Sequence, residues 1–395
     1  MLTLVVAGCQ AVRLGPQAVP ADPWLEEEVT FKSGPNDLYG ILTLPATAGP
    51  HPAIVLISGS AGPGTGTRDG VSSQVHILHA RKFVVDGYAV LRYDPPGVGR
   101  STGGGGLESL ADRMQEALAA VRYLRTRSDP STGSELALNA VKGLAFQPDR
   151  IGLWGVSQGG WVIAMAAAEA PQEVAFIISA SGAGISVAEQ QVYGVEAQTR
   201  ATGVSEEDVA KAVLFSRLLV DWQLPTPMYR ALNEAEAARL GDGPWNDFLR
   251  LVYTPVALTA AEELAQGIAV LESIQDQFWA MALYLKDLYL PALKRVAPDQ
   301  LLVARATMGR SLLTDPKDFL TRVRCPVLAV FGENDQNLPA RKSAELFEQY
   351  LTQAGNPDFE IVVLPGTGHS FGNFSAVYWG TLSNWLKAKV PASGS

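Results

Sequence analysis

The sequence predicts an α/β protein built on a mostly parallel sheet with helices on both faces. Three observations carry that prediction. Segments of strand character alternate with segments of helical period along most of the chain, which is the pattern of repeated strand-helix-strand crossovers. Several strand segments, among them "HPAIVLISG", "RIGLWGV" and "CPVLAVFGEND", are continuous apolar runs, as expected of strands buried on both faces. The 395 residues are 47% hydrophobic and 18% charged, enough apolar material for a large core and far from the polar balance of disordered chains.

Taken in order, "VTFKSG" and "LYGILTLP" alternate around a turn and read as a hairpin, followed by the buried-strand run "HPAIVLISG". "SSQVHILHARKFVVDG" has helical period and closes at Gly87, and "YAVLRYDPPG" is a further strand ended by paired prolines. Residues 107–127, "LESLADRMQEALAAVRYLRTR", are helical, with arginines gathered at the C-terminal end where the helix dipole favours them. "RIGLWGV" is a short apolar strand and "SQGGWVIAMAAAEA" an alanine-rich helix. "EVAFIISASG", "CPVLAVFGEND" and "FEIVVLPGTGH" complete the strands.

Between about residues 184 and 320 this rhythm stops. "SVAE", "SEED" and "TAAE" each read as a capping box opening a helix, almost nothing reads as strand, and Trp222, Trp245 and Trp279 fall among the apolar positions. The expected organisation is an N-terminal segment 1–24, a first core part 25–183, a helical cap 184–320 and a second core part 321–390.

The net charge of -9, from 31 basic and 40 acidic residues with no basic cluster, would repel a phosphate backbone, so nucleic acid is set aside. Two cysteines are too few for a disulfide framework and are not spaced for a metal site. Cys325 precedes a strand and reads as a small buried filler. Cys9, in "LVVAGCQ", stands where the lipidated cysteine of a bacterial lipobox would stand. The stretch before it is shorter than a usual signal core and lacks a basic lead, so this expectation of a lipid-anchored envelope protein supposes a start upstream; the other reading is an apolar N-terminus in a cytoplasmic protein.

Ser157 lies in "LWGVSQGGW", a G-x-S-x-G pattern with an apolar strand directly before and a helix directly after. In that setting a sharp strand-to-helix turn lifts the hydroxyl above the sheet edge, and small flanking residues relieve the crowding. A nucleophilic serine needs a base, and only four histidines compete for the task. His51 sits ahead of an early strand. His76 and His79 lie three apart on a helix, where surface or half-buried positions are expected before a metal pair. His369 follows a strand in "LPGTGHSF", where glycines let a short loop carry the imidazole over the sheet end. Asp335 in "VLAVFGENDQNLP" is delivered to the same edge at a strand end, with Glu333 as the backup; Glu206, Glu207, Asp208, Glu262 and Glu263 are explained by helix starts.

With these segments in place, the chain resembles the α/β-hydrolase superfamily, outside the insertion. "RIGLWGVSQGGW", "GENDQNLP" and "GTGHSF" are similar to the nucleophile, acid and histidine regions of bacterial esterases and acylaminoacyl-peptidase-like serine hydrolases. "LISGSAGPGTGTRDG" resembles their HGSGPxxRD loop, and "YDPPGVGRSTG" their D-x-x-G-x-G-x-S turn. The resemblance implies an oxyanion hole from the backbone N–H groups of Gln158 and Ser60. It departs at Ser58, where histidine is usual and braces the loop, so loop rigidity comes into question. "GPGTG" lacks the G-x-G-x-x-G spacing of a dinucleotide site, and no cofactor or metal is implied.

The expected reaction is hydrolysis of small carboxylic esters of short to medium acyl chain through an acyl-enzyme on Ser157, His369 and Asp335, under a cap that lines the acyl pocket. Amide hydrolysis of the acylaminoacyl-peptidase or aminopeptidase kind is the alternative, although no acidic pair is evident to grip a free amine. A hydrolase fold that only binds is the alternative of another class.

Overall fold

The computed structural model of the protein describes residues 24–47, 49–60, 70–104, 108–127, 146–230, 245–253 and 258–392. Cys9 and residues 61–69 of the glycine-rich loop lie outside the described residues. The strands are β1 Trp24–Ser33, β2 Asn36–Pro45, β3 His51–Ile57, β4 Ala89–Tyr93, β5 Phe146–Val156, β6 Ile177–Ala180, β7 Val327–Gly332 and β8 Phe359–Leu364. The longer helices are α1 Gln74–Val85, α2 Leu110–Arg127, α3 Gln158–Glu169, α4 Val187–Ala201, α5 Glu206–Gln223, α6 Trp245–Tyr253, α7 Ala260–Ile274, α8 Leu301–Leu312, α9 Ala340–Ala354 and α10 Ala376–Lys389.

One sheet runs in the order β1-β2-β4-β3-β5-β6-β7-β8. The hairpin β1–β2 and the pair β2–β4 are antiparallel, and every other pairing is parallel. Period-2 alternation sends Ala53, Val55 and Ile57 of β3 into one core and Ile54 and Leu56 into another. The first core is closed by α2, α3 and α9, the second by α1 and α10, so both faces are covered as the unbroken apolar runs require.

Between β6 and β7 the described residues contain helices and no strand. This region carries a core of its own, in which Phe215 packs 5.2 Å from Phe248 and 6.1 Å from Trp279, with Trp222 5.4 Å from Phe248. Full capping boxes open α4 at Ser186–Glu189 and α7 at Thr259–Glu262. The expected third box is only half made: Ser205 accepts from the Asp208 N–H, while the Asp208 carboxylate takes the Ser205 hydroxyl. Aspartate is one methylene shorter than the glutamate that normally reaches back to the cap N–H.

Two histidine readings need correction. His76 and His79 are buried, at 2% and 0% exposure, and not on the surface of α1. His79 donates from Nδ1 to the Val75 carbonyl at 2.7 Å, and its Nε2 lies 2.9 Å from the Tyr378 hydroxyl, which in turn lies 3.1 Å from Nε1–H of Trp154. This arrangement needs a neutral imidazole that accepts the Tyr378 proton, and burial pushes the His79 pKa down to about 3. Cys325 is half-buried against the first core, and burial pushes its thiol up to about 12, far from a reactive thiolate.

Candidate active site

The C-terminal ends of β5, β7 and β8 deliver the three expected groups to one edge of the sheet. β5 ends at Val156 and α3 starts at Gln158, leaving Ser157 alone at the bend with φ 53° and ψ -123°. A non-glycine residue at positive φ costs about 1–3 kcal/mol and persists only where its surroundings hold it. Here the Ser157 N–H donates to the Ala180 carbonyl at 2.8 Å and the Gly160 N–H returns to the Ser157 carbonyl at 2.9 Å. Crowding explains the flanking glycines: a Cβ on Gly155 would meet the Gly159 carbonyl oxygen at 2.4 Å.

Asp335 follows β7 in a turn closed by its own N–H on the Gly332 carbonyl at 3.2 Å. Its side chain is fully buried. Oδ1 accepts the N–H groups of Asn337 at 2.7 Å and Leu338 at 3.2 Å, and Oδ2 accepts Nδ1–H of His369 at 2.7 Å. The carboxylate is thus held in place by backbone and has one oxygen left for the imidazole. Glu333 does not share this task. Its carboxyl takes the Gly366 N–H at 3.1 Å and Arg341 at 2.5 Å, and these two donors, the backbone one foremost, hold it below the usual carboxylate range.

His369 arrives on the loop after β8, which crosses so close to β7 that a Cβ on Gly332 would lie 2.2 Å from the Gly368 carbonyl oxygen. Asn334 N–H donates to the Thr367 carbonyl at 2.8 Å, tying the acid turn to the histidine loop. Ser181, at the end of β6 with φ 51°, donates its hydroxyl to the His369 carbonyl at 3.0 Å. It is a brace that no sequence pattern marked. The structure therefore pairs His369 with Asp335 directly, and links the Ser157 bend to the histidine loop through neighbouring residues at the end of β6.

The oxyanion candidates flank the bend. Gln158 is the first residue of α3, where a backbone N–H has no partner within its own helix. Ser60 is exposed just beyond β3. Ser58 is buried, and its carbonyl is taken by the guanidinium of Arg113, which also bonds the Gly59 carbonyl at 3.0 Å and the Gln158 side chain. The looseness expected from a serine at position 58 is thus countered from α2, by a residue the sequence reading did not single out. Its signal was weak: a charged residue on the apolar stripe of a helix, legible only as a mismatch.

The turn "YDPPGVGRS" is explained by Asp94, which accepts the Val71 N–H at 2.8 Å and the Arg100 N–H at 3.1 Å. Its motif serine, Ser101, donates to the Asp94 carbonyl at 2.6 Å and accepts the Tyr39 N–H at 2.9 Å. These bonds shape the turn after β4 and tie it to β2 and to Val71.

The first helix of the insertion is seated on the acid turn. Gln190 donates to the Asn337 carbonyl and Gln198 to the Asn337 side chain, each at 2.6 Å, and the Tyr193 hydroxyl donates to the Asp335 carbonyl at 3.3 Å.

Comparison with solved structures finds the same architecture. The α/β hydrolase GrgF from Penicillium sp. sh18 is 18% identical, with 92% of this chain and 99% of that chain aligned at a TM-score of 0.50. The proline iminopeptidase of Mycobacterium smegmatis is 17% identical over 92% of this chain and 98% of its own, at 0.48. The Pyrococcus furiosus esterase PF2001 is 12% identical over 95% and 96%, at 0.49. At 18% identity the likeness to GrgF speaks for the fold alone. No curated protein matches the chain. The model of the X-Pro dipeptidyl-peptidase (S15) family, however, matches residues 37–370, from the second strand to just past His369. With that span matched and the sheet in this order, the chain is an α/β hydrolase and belongs to the X-Pro dipeptidyl-peptidase (S15) family.

Proposed function

We propose that the protein hydrolyses small carboxylic esters through an acyl-enzyme, with Ser157 as nucleophile, His369 as general base and acid, and Asp335 as the group that orients the histidine. The observation that carries this reading is the 2.7 Å bond from His369 Nδ1–H to a buried Asp335 oxygen, at the same edge of the sheet as a serine held at positive φ on a strand-to-helix bend. With Nδ1 committed to the carboxylate, the other ring nitrogen is the basic one. Ser157 Oγ then attacks the acyl carbon as its proton passes to His369, and the backbone N–H groups of Gln158 and Ser60 hold the oxyanion. The bond to the leaving alcohol breaks as His369 returns the proton to it. Water, deprotonated by the same imidazole, attacks the acyl-enzyme and releases the acid and free Ser157.

Amide cleavage is the second reading, favoured by the family match to X-Pro dipeptidyl-peptidases. Such substrates carry a free ammonium that needs an available carboxylate. The acidic side chains on the acid turn and on α4 are already engaged: Glu333 with Arg341, Glu189 in the α4 capping box and Glu196 with Arg200. Among the described residues of those two segments no acidic side chain stands ready for an ammonium, which supports the ester, with the helical insertion as a cap over the acyl group.

Ser157→Ala is expected to abolish turnover of p-nitrophenyl butyrate and labelling by a fluorophosphonate probe while leaving the circular dichroism spectrum unchanged. A variant that keeps more than a few per cent of the rate sinks the assignment, and an unlabelled wild type would point to a protein that only binds. Rates on p-nitrophenyl acetate, butyrate and octanoate, set against acyl-alanine and Xaa-Pro anilides, separate esterase from peptidase.

A further inference from the structure

Two backbone segments meet beside Ser157, and one buried side chain is bonded to both. Gly159 of α3 lies against the end of β3, where a Cβ would come within 2.6 Å of the Ile57 carbonyl oxygen and 2.7 Å of that of Ser58. A Cβ on Gly59 would sit 3.4 Å from Cβ of Ser157. Arg113 reaches this junction from α2 at 2% exposure. Its Nη1 donates to Oε1 of Gln158, and its Nη2 donates to the carbonyls of Ser58 and Gly59.

The Gly59 carbonyl and the Ser60 N–H are the two ends of one planar trans peptide, so they point in opposite directions. A cation anchored on the carbonyl end therefore aims the N–H end away from α2. A charge-assisted hydrogen bond on the carbonyl also polarises the peptide and strengthens its N–H as a donor. On the other side, the same guanidinium holds the side chain of Gln158, whose backbone N–H is the second proposed donor. Arginine suits this task because its planar fork reaches several acceptors at fixed angles, whereas a lysine ammonium is a point charge.

We propose that Arg113 is the positioning residue of the oxyanion hole, setting the direction and donor strength of the Ser60 N–H and locking it to the Gln158 side. The inference rests on the hydrolytic reading of Ser157, His369 and Asp335 given above. It acts on the transition state, because the donors meet full negative charge only there.

The test uses Arg113→Gln and Arg113→Lys in the full chain, with sites counted by complete fluorophosphonate titration. On p-nitrophenyl butyrate, kcat per titrated site is expected to fall about 10- to 100-fold in Arg113→Gln, with KM within about twofold and partial recovery in Arg113→Lys. Affinity for an alkyl trifluoromethyl ketone, which forms an anionic adduct with a serine, should fall in step with kcat/KM, while affinity for the matching alcohol stays constant. A residue that merely supported the fold would lower the number of titrated sites and leave both affinities alone, and that result overturns the proposal. So does a kcat within about twofold of wild type in both variants. Should Arg113→Gln fail to fold, Arg113→Lys and Gln158→Ala carry the same readouts. A wild type without turnover and without Ser157-dependent labelling would instead bring down the hydrolytic reading, and this inference with it.

Discussion

His369 and His79 both donate from Nδ1 to an oxygen 2.7 Å away, yet they live in opposite kinds of surroundings. His369 rides on a loop at the strand ends, 22% exposed at its side chain, and its partner is a carboxylate. His79 is fully buried under the sheet, with Trp154 4.0 Å from its ring centre and Phe374 and Trp379 within 5 Å, and its partners are a carbonyl and a tyrosine hydroxyl. A carboxylate stabilises an imidazolium as it forms; a carbonyl inside an aromatic shell does not offset the loss of water. The same residue type is set against a carboxylate at the sheet edge in one place, where the proposed reaction would use it as the base, and held neutral as a tie between α1, β5 and α10 in the other.

Three changes test that contrast. Asp335→Asn should lower kcat on p-nitrophenyl butyrate by about 10³–10⁴-fold, since an amide in that place neither selects the productive tautomer nor stabilises the charged ring. The urea midpoint should move little, because the Asn337 and Leu338 N–H groups keep an oxygen acceptor.

His79→Gln should do the reverse, lowering stability by about 1–3 kcal/mol through lost packing and broken hydrogen bonds while kcat per titrated site stays near wild type. The same variant tests the pH behaviour. The unfolded chain protonates His79 near pH 6.5 and the folded chain only near 3, so the unfolded state binds the extra proton across that window. Stability from this group is complete above pH 6.5 and drains away as pH falls toward 3. Between pH 7 and pH 5 the loss amounts to about 2 kcal/mol, and urea unfolding at the two values should show that decline flattened in His79→Gln.

The smallest effect is expected from Glu333→Gln. Its carboxylate serves Gly366 and Arg341 at the surface, so activity should remain within about twofold of wild type. A large loss there would mean that the acid role is divided between the two positions of the turn.

Much of this is legible in the sequence. The unbroken apolar runs located β3, β5, β6 and β7 because strands buried on both faces cannot alternate, while β8 at the sheet edge is only partly buried. The bend at Ser157 was legible because its crowding demands glycines at fixed offsets. What could not be read were contacts between residues remote in the chain. Nothing in "LADRMQEAL" says that Arg113 ends on the carbonyls of Ser58 and Gly59, 55 and 54 residues away. Nor does "QVHILHARK" say that His79 lies against Tyr378, 299 residues on. The half-made cap at Ser205 shows the same limit at short range, since the pattern matched while one missing methylene decided the geometry.

Sequence alone determined the order of strands and helices, the strand-to-helix bend and the residue types available at each strand end, because those follow from local periodicity and local crowding. Tertiary structure seated the imidazole on Asp335, which the sequence had put ahead of Glu333, and alone decided that one histidine is wet and the other sealed, and that an arginine from α2 braces the loop beside Ser157. Those outcomes depend on which side chains share a solvent-excluded space, and chain folding, not chain order, brings them together.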